Sequence, residues 1–362
     1  MNSINGNYPT AMKNSRGFSL VELMVALVIT LILLAGISQI FVSSKKSFTI
    51  QDSLARQQEN GRYAIEVISQ DLRRAGYWGG TAIVPEIIGS QQPIKPDTGT
   101  GENFTCPTGD NSWGRMIYYR IFGINDARTN YACIPTSGTG GYLRGDVLVL
   151  RYGSAYQVGG TTLKNFTDDD LKNRLFLRST VFQGRIFNGS EQGDGANQVE
   201  TVAATRESLV IAHAYYIGDS GRTCRGDTVP SLFRVTLSKN GTPEVEEIAY
   251  GVDQFQVRYG VDTAIDLNSS PPVSNGDSLI DQYLDANNIN NDDSPPYTSP
   301  HWRQVIAAKI WLLTRAECGE TGLVNNRTYE DLGDVDYAVN DDFRRQLYQT
   351  TVFMRNLNVT ER

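Results

Sequence analysis

The chain has 362 residues, 40% of them apolar and 20% charged, with a formal net charge of −7. That length holds one large domain or two ordinary ones, and the apolar content supports a buried core. No basic excess of the kind a DNA or RNA binder carries is present, which excludes nucleic acid as a direct ligand.

Residues 1–17 are polar and include Lys13 and Arg16; residues 18–41 then run FSLVELMVALVITLILLAGISQIF with Glu22 the only charge. As a helix this segment spans about 36 Å, enough to cross a bilayer core of ~30 Å. It is longer than the apolar region of a secretory signal and lacks an A-x-A-like end. The preceding basic residues orient it N-in, which puts the bulk of the chain outside the cytoplasm. A carboxylate at the centre of such a helix costs about 2.5–3.5 kcal/mol. Glu22 is near the end, where an acid can also reach headgroups, so its neighbours have to decide its role.

Those neighbours, Arg16-Gly17-Phe18-Ser19-Leu20-Val21-Glu22, resemble the type III signal of type IV pilins and related pseudopilins. The resemblance implies that a prepilin peptidase cuts after Gly17 and methylates the new N-terminus at Phe18. It also implies that the apolar helix is retained and that Glu22 is the family's assembly glutamate. Inside a bundle of apolar helices a buried carboxylate must be paired. The expected partner is the N-terminal amine of Phe18 in a neighbouring subunit.

Beyond Phe41 the chain turns polar without a breaker, since no proline occurs between Pro9 and Pro85. Ile65, Ile68, Leu72 and Ala75 recur at helical spacing and form one apolar stripe. Gly76 and the Gly79-Gly80 pair end the element. One helix is therefore expected from Phe18 to Ala75. From Thr81 the period changes to two. Strands are expected at 146–152, 174–182, 208–217, 231–237, 255–261, 305–313 and 348–356, separated by Gly, Asn, Asp and Pro clusters.

Four cysteines, Cys106, Cys133, Cys224 and Cys318, lie outside the apolar segment, and none forms a CxxC. With an exported chain they suggest disulfides, and three pairings are open. A shared loop-rich stretch favours Cys106 with Cys133, leaving Cys224 and Cys318; four free buried thiols are the alternative. Residues 262–300 carry seven Asp, no Lys or Arg, and five of the thirteen prolines. This insert reads as a solvated loop or a contact for a basic partner. Clustered oxygens make Asp262, Asp266 and Asp277 weak calcium candidates, but no D-x-[DN]-x-[DN]-G loop occurs, so no cofactor or metal is expected. The run Asp168-Asp169-Asp170, within 161–172, reads as a helix start or solvated turn.

Gly218-Asp219-Ser220-Gly221 matches the setting of a serine nucleophile, which needs a base within hydrogen-bond reach. The two histidines, His213 and His301, are in no such setting. The GDSG therefore reads as the hairpin turn between 208–217 and 231–237, His213 as a satisfied core histidine, and His301 as a surface or packing residue. No enzymatic activity is expected.

Three stretches narrow the resemblance: SLARQQENGRYAIEVISQDLRRAGYWGG (53–80), GVDQFQVRYGVD (251–262) and FRRQLYQTTVFMRNLN (343–358) are similar to the PilW type of minor pilin. That implies an α+β fold, with a long N-terminal helix packed on a large antiparallel β-rich head. The expected organisation is a cleaved cytoplasmic leader (1–17), the helix (18–78, of which 18–41 is the membrane or filament-core segment) and the head (79–362) with its insert (262–300). The implied role is a minor pilin that primes pilus assembly and sits at the filament tip. Its partners would be other minor pilins, the major pilin, the prepilin peptidase, the inner-membrane assembly platform and a large tip adhesin. It would stand in the inner membrane with its head in the periplasm, then at the pilus tip. A J-type pseudopilin of a type II secretion system shares the N-terminal signal and is the alternative. Two further readings are a ligand- or adhesin-binding tip module and an anchored enzyme unprocessed at Gly17.

Overall fold

The computed structural model describes residues 17–80, 87–88, 106, 111–128, 131–159, 172–180, 183–191, 206–266, 268, 273–274, 279–290, 300–356 and 360–361. Two compact units divide at Asp52/Ser53. One continuous helix, α1 (Leu20–Arg74), runs through the division. In the first unit it is built from Leu, Val, Ile and Ala without a proline and buries nothing.

In the second unit the same helix turns a stripe inward: Gln57, Gly61, Ala64, Ile68 and Asp71 are buried at alternating steps of four and three, and Leu72 lies four beyond Ile68. Gly61 is there for close approach, because a Cβ would stand 2.3 Å from the ring of Tyr348. The helix stops at Gly76, whose φ of +76° suits a residue without a Cβ and whose N–H donates to Arg151 O. Asn356, from the far end of the chain, donates its amide to the carbonyls of Arg73, Arg74 and Ala75. It thereby satisfies groups that a helix end leaves orphaned.

The larger sheet has eight strands: β1 (Ile87–Ile88), β2 (Ile121–Ile124), β3 (Tyr142–Gly159), β4 (Leu175–Ser179), β5 (Gly184–Asn188), β6 (Arg206–Cys224), β7 (Asp227–Leu237) and β8 (Pro243–Tyr250). Its order is β1-β5-β4-β6-β3-β2, and β7 and β8 extend from the C-terminal half of β6. A short helix, α2 (Ser112–Arg115), precedes β2. The remaining strands are β9 (Val252–Val261), β10 (Ile265–Asp266), β11 (Val273–Ser274), β12 (Gln282–Leu284), β13 (Val305–Arg315), β14 (Thr328–Leu332), β15 (Val335–Ala338), β16 (Arg345–Phe353) and β17 (Thr360–Glu361). Of these, β12-β9-β13-β16 form a second, wholly antiparallel sheet; β14 and β15 make a hairpin whose apolar side covers Trp311 and Leu313.

The two sheets and the second half of α1 share one core, which joins Ile68 and Leu72 to Leu148, Tyr215, Val257, Ile310 and Leu312. Trp302 ties the sheets together, with ring centroids 5.1 Å from Phe122 and 4.7 Å from Tyr259. Disulfides join Cys106 to Cys133 and Cys224 to Cys318. The second anchors the tip of the β6–β7 hairpin to the chain beyond β13.

Several elements differ from the sequence expectation. The β6 strand runs on to Cys224, so Gly218-Asp219-Ser220-Gly221 lies within a strand that slips register between Asp219 and Thr223. The turn is Arg225-Gly226, with φ of +55° and +94°, a two-residue geometry that matches strand twist. β2, β5 and β8 were not anticipated; β8, PEVEEIAY, alternates but carries three glutamates that mask its apolar side. Part of the acidic insert is ordered, since β12 pairs with β9. His301 is fully buried, so it packs and is not a surface residue.

Candidate functional site

Two places carry chemistry: the start of α1 in the first unit, and the buried polar joints of the second. At the start of α1, Gly17, Phe18 and Ser19 precede the first helical residue. The Ser19 hydroxyl accepts the Glu22 N–H at 3.2 Å, and Ser19 O accepts the Leu23 N–H at 3.1 Å. Ser19 is thus an N-cap, with Glu22 at the third helical position, the sequence pattern of a capping box. Sequence reasoning missed this second role of the Ser-x-x-Glu pattern, although the spacing displays it. The carboxylate also stands where the helix dipole is positive.

Phe18 is 81% exposed, and seventeen large apolar side chains between Phe18 and Val42 are at least half exposed. Withdrawing them from water at roughly 1.5 kcal/mol each is worth on the order of 25 kcal/mol. Among the described residues, no other part of the first unit covers them. Phe18 directly precedes the Ser19 N-cap, four residues before Glu22. The remainder of the leader, 1–16, lies outside the described residues.

In the second unit Asp71 of α1 meets the larger sheet. Its carboxylate accepts hydrogen bonds from Tyr152 Oη at 2.6 Å, His213 Nδ1 at 2.5 Å and Tyr215 Oη, with Arg234 Nη1 3.9 Å away. Burial alone raises the Asp71 pKa, but His213, Tyr152 and Tyr215 outweigh it and hold the carboxyl below its ordinary value. Burial keeps the His213 imidazole below its ordinary value, against the pull of Asp71. Near neutral pH a neutral His213 therefore donates Nδ1–H to an ionised Asp71.

A second joint surrounds the fully buried Asp253. It pairs with Arg345 Nε at 2.7 Å and Arg144 Nη1 at 3.0 Å, with Arg315 Nε at 3.9 Å. Arg315 in turn stacks on the Phe343 ring at 3.9 Å. These contacts bring together the three stretches quoted above. Gln57 Nε2 donates to Arg344 O and Thr314 O, Asn60 Nδ2 donates to Tyr250 O, and Asn356 caps α1.

His213 is not placed as a base for Ser220. His213 and Ser220 lie on one strand seven residues apart, roughly 23 Å at ~3.3 Å per residue. His301 accepts the Arg303 N–H at Nδ1 and meets the Tyr119 hydroxyl at Nε2. Of the weak calcium candidates, Asp262 Oδ1 accepts the Ala264 N–H and Asp266 Oδ1 accepts the Asn268 N–H. Asp277, Asp292, Asp293 and the 168–170 run lie outside the described residues. Among the described residues no group of three or more His, Cys, Asp or Glu is placed to hold a metal ion.

Residues 214–356 match the family described as Type IV Pilus-assembly protein W, and residues 12–38 match the prokaryotic N-terminal methylation motif. The two matches support a PilW-type type IV pilin. The PilW match contains Asp253, Arg315, Arg345 and Asn356, and the methylation-motif match contains Gly17, Phe18 and Glu22. The bare apolar start of α1 is accordingly a membrane anchor. Among solved structures, a type IV-like pilin from Thermus thermophilus is 14% identical over 59% of this chain and 80% of that chain, with a TM-score of 0.27. No curated protein matches the chain.

Proposed function

We propose that this pilin is a minor subunit of a type IV pilus that helps prime assembly and sits at the filament tip. It acts as a structural and interaction protein, not as a catalyst. The observation that carries this reading is the start of α1: a capped, uncovered apolar helix whose single charge follows a peptidase-type glycine by five positions. Cleavage after Gly17 frees the amine of Phe18, which becomes N-methylated. The helix is held in the inner membrane with the head in the periplasm until the assembly platform extracts it.

Glu22 then enters the core of a helix bundle, where an unpaired carboxylate is strongly unfavourable. The cationic N-terminus of a neighbouring pilin answers it, and the pair sets axial register, as one buried polar residue does in a coiled coil. Removing one partner of such a pair costs about 3–5 kcal/mol. Asp71, Gln57 and Asn60 tie the second half of α1 to the head.

N-terminal sequencing of the mature chain tests the reading, with Phe18 expected as the first residue. Glu22→Ala is expected to be cleaved normally but recovered poorly with the neighbouring pilins. A native chain that still begins at Met1, or a Glu22→Ala protein that enters pili at wild-type level, overturns it. Immunogold labelling then distinguishes a tip position from an even distribution along the filament.

A further inference from the structure

We infer that Lys45 and Lys46 bind the phosphate groups of anionic phospholipid, in the leaflet on the C-terminal side of the membrane span. Both residues lie in the first unit and are exposed. The lipid contact follows from the anchor alone. The pilin reading above enters only for what that contact does during extraction.

Helix length fixes the depth. Residues 23–42 are twenty positions without a charge. At ~1.5 Å per residue they span about 30 Å, the thickness of a bilayer's hydrocarbon core. Glu22 bounds this run on one side, and Ser43-Ser44-Lys45-Lys46-Ser47 bounds it on the other. The helix is unbroken throughout, and the Thr30 hydroxyl within it donates to Ala26 O at 2.7 Å. One register therefore keeps both charged ends out of hydrocarbon. Sliding the helix by a turn, about 5.4 Å, draws in either Glu22 or Lys45, and a charge there is costly.

Depth then names the ligand. Lys45 and Lys46 stand about 4.5 and 6 Å beyond residue 42 along the axis, inside a headgroup layer about 5–7 Å thick. Helical side chains lean toward the N-terminus, so the two lysine stems point back toward Phe41 and Val42, one turn earlier and both exposed. Long basic side chains lay their stems on apolar surface and keep their heads at the polar boundary. Phe48, also exposed, leans back into the same layer from the next turn. Lipid phosphates occupy this layer, whereas a water-soluble anion has no reason to collect there.

Charge selects the lipid class. From residue 23 to residue 51 the only charges are Lys45 and Lys46, so this end of the anchor carries +2. A zwitterionic headgroup brings its own cation beside the phosphate. An anionic one, such as phosphatidylglycerol, brings a net negative charge that juxtamembrane lysines attract. The hydroxyls of Ser43, Ser44 and Ser47 add donors at the same level. Cleavage after Gly17 removes Lys13 and Arg16, and residues 18–44 hold no Lys or Arg. In the pilin reading, Lys45 and Lys46 are then the basic side chains that hold the span at its depth until it is extracted.

The test uses the full chain in phosphatidylcholine vesicles carrying a trace of spin-labelled phosphatidylglycerol or spin-labelled phosphatidylcholine. Electron paramagnetic resonance reads the fraction of each label immobilised at the protein. At low salt the phosphatidylglycerol label is expected to be favoured by about fivefold or more, the factor one lysine contributes near an anionic surface. Lys45→Gln/Lys46→Gln is expected to lose at least about fivefold of that preference, and Lys45→Arg/Lys46→Arg to keep it. Any leader cation still present raises wild type and variants alike, so their comparison decides. The inference is overturned if wild type shows no preference, or if the glutamine variant stays within about twofold of wild type. Equal loss in the arginine variant also overturns it, since charge would then not be the cause. N-terminal sequencing of the same sample reads the pilin proposal separately. A start at Phe18 without a lipid preference rejects this site alone, and a start at Met1 with one rejects only the pilin reading.

Discussion

Asp71→Ala tests whether the joint between α1 and the larger sheet holds the second unit together. The substitution removes the acceptor of three buried donors: the hydroxyls of Tyr152 and Tyr215 and the Nδ1–H of His213. Each orphaned donor costs about 1–3 kcal/mol. The losses are not additive, because the tyrosines and the histidine share one carboxylate and can relax together. Breaking a buried charged network from one side costs about 3–5 kcal/mol, and we take that range. At roughly 2–4 °C per kcal/mol for a large domain, the melting temperature falls by about 6–20 °C. Near-UV circular dichroism follows the transition, with the full chain in detergent. Asp71→Asn, which keeps one acceptor oxygen, should lose less than Asp71→Ala. A loss below about 1 kcal/mol for Asp71→Ala would refute the reasoning, since it would mean that solvent already reaches these donors.

Other outcomes follow from the same geometry. His213 is held below its ordinary pKa, so between that folded value and about 6.5 the unfolded chain binds more protons and stability rises with pH. Asp71, also held low, loses its contribution only as pH falls below about 3.9. His213→Gln should therefore flatten the stability–pH curve just below about 6.5; an unchanged slope in urea titrations argues against it. In the loop-entropy picture, replacing both Cys224 and Cys318, 94 residues apart, removes about 4.7 kcal/mol. Replacing Cys106 and Cys133, 27 apart, removes about 3.5 kcal/mol, and calorimetry that reverses this order rejects the entropic account. Gly76→Ala puts a Cβ 2.6 Å from Asn356 O at a φ of +76°, so a loss of about 1–3 kcal/mol is expected in thermal unfolding.

The start of α1 was legible because local rules suffice there. An unbroken apolar run of membrane length, basic residues before Gly17 and one acid after it depend only on neighbours in the chain. The same holds for the strand cores at 146–152, 208–217 and 305–313, whose apolar runs announce themselves. It fails at β8, where Glu244, Glu246 and Glu247 hide the alternation because the strand is an edge with one wet side. It fails again at the GDSG, where turn chemistry pointed to Gly218–Gly221 but pairing with β7 carried the strand on to Cys224.

The sequence by itself determined the anchor, its processing pattern, the change from helical to alternating period and the membership of a pilin lineage. Each of these is written in contiguous residues or short spacings. Only the tertiary structure decided that Asp71 meets His213 from 142 positions away, that Asn356 closes α1, and that Gln57 donates to the carbonyls of Thr314 and Arg344. The physical reason is that a buried polar group is satisfied by whatever the fold brings next to it, and separation along the chain carries no record of that partner.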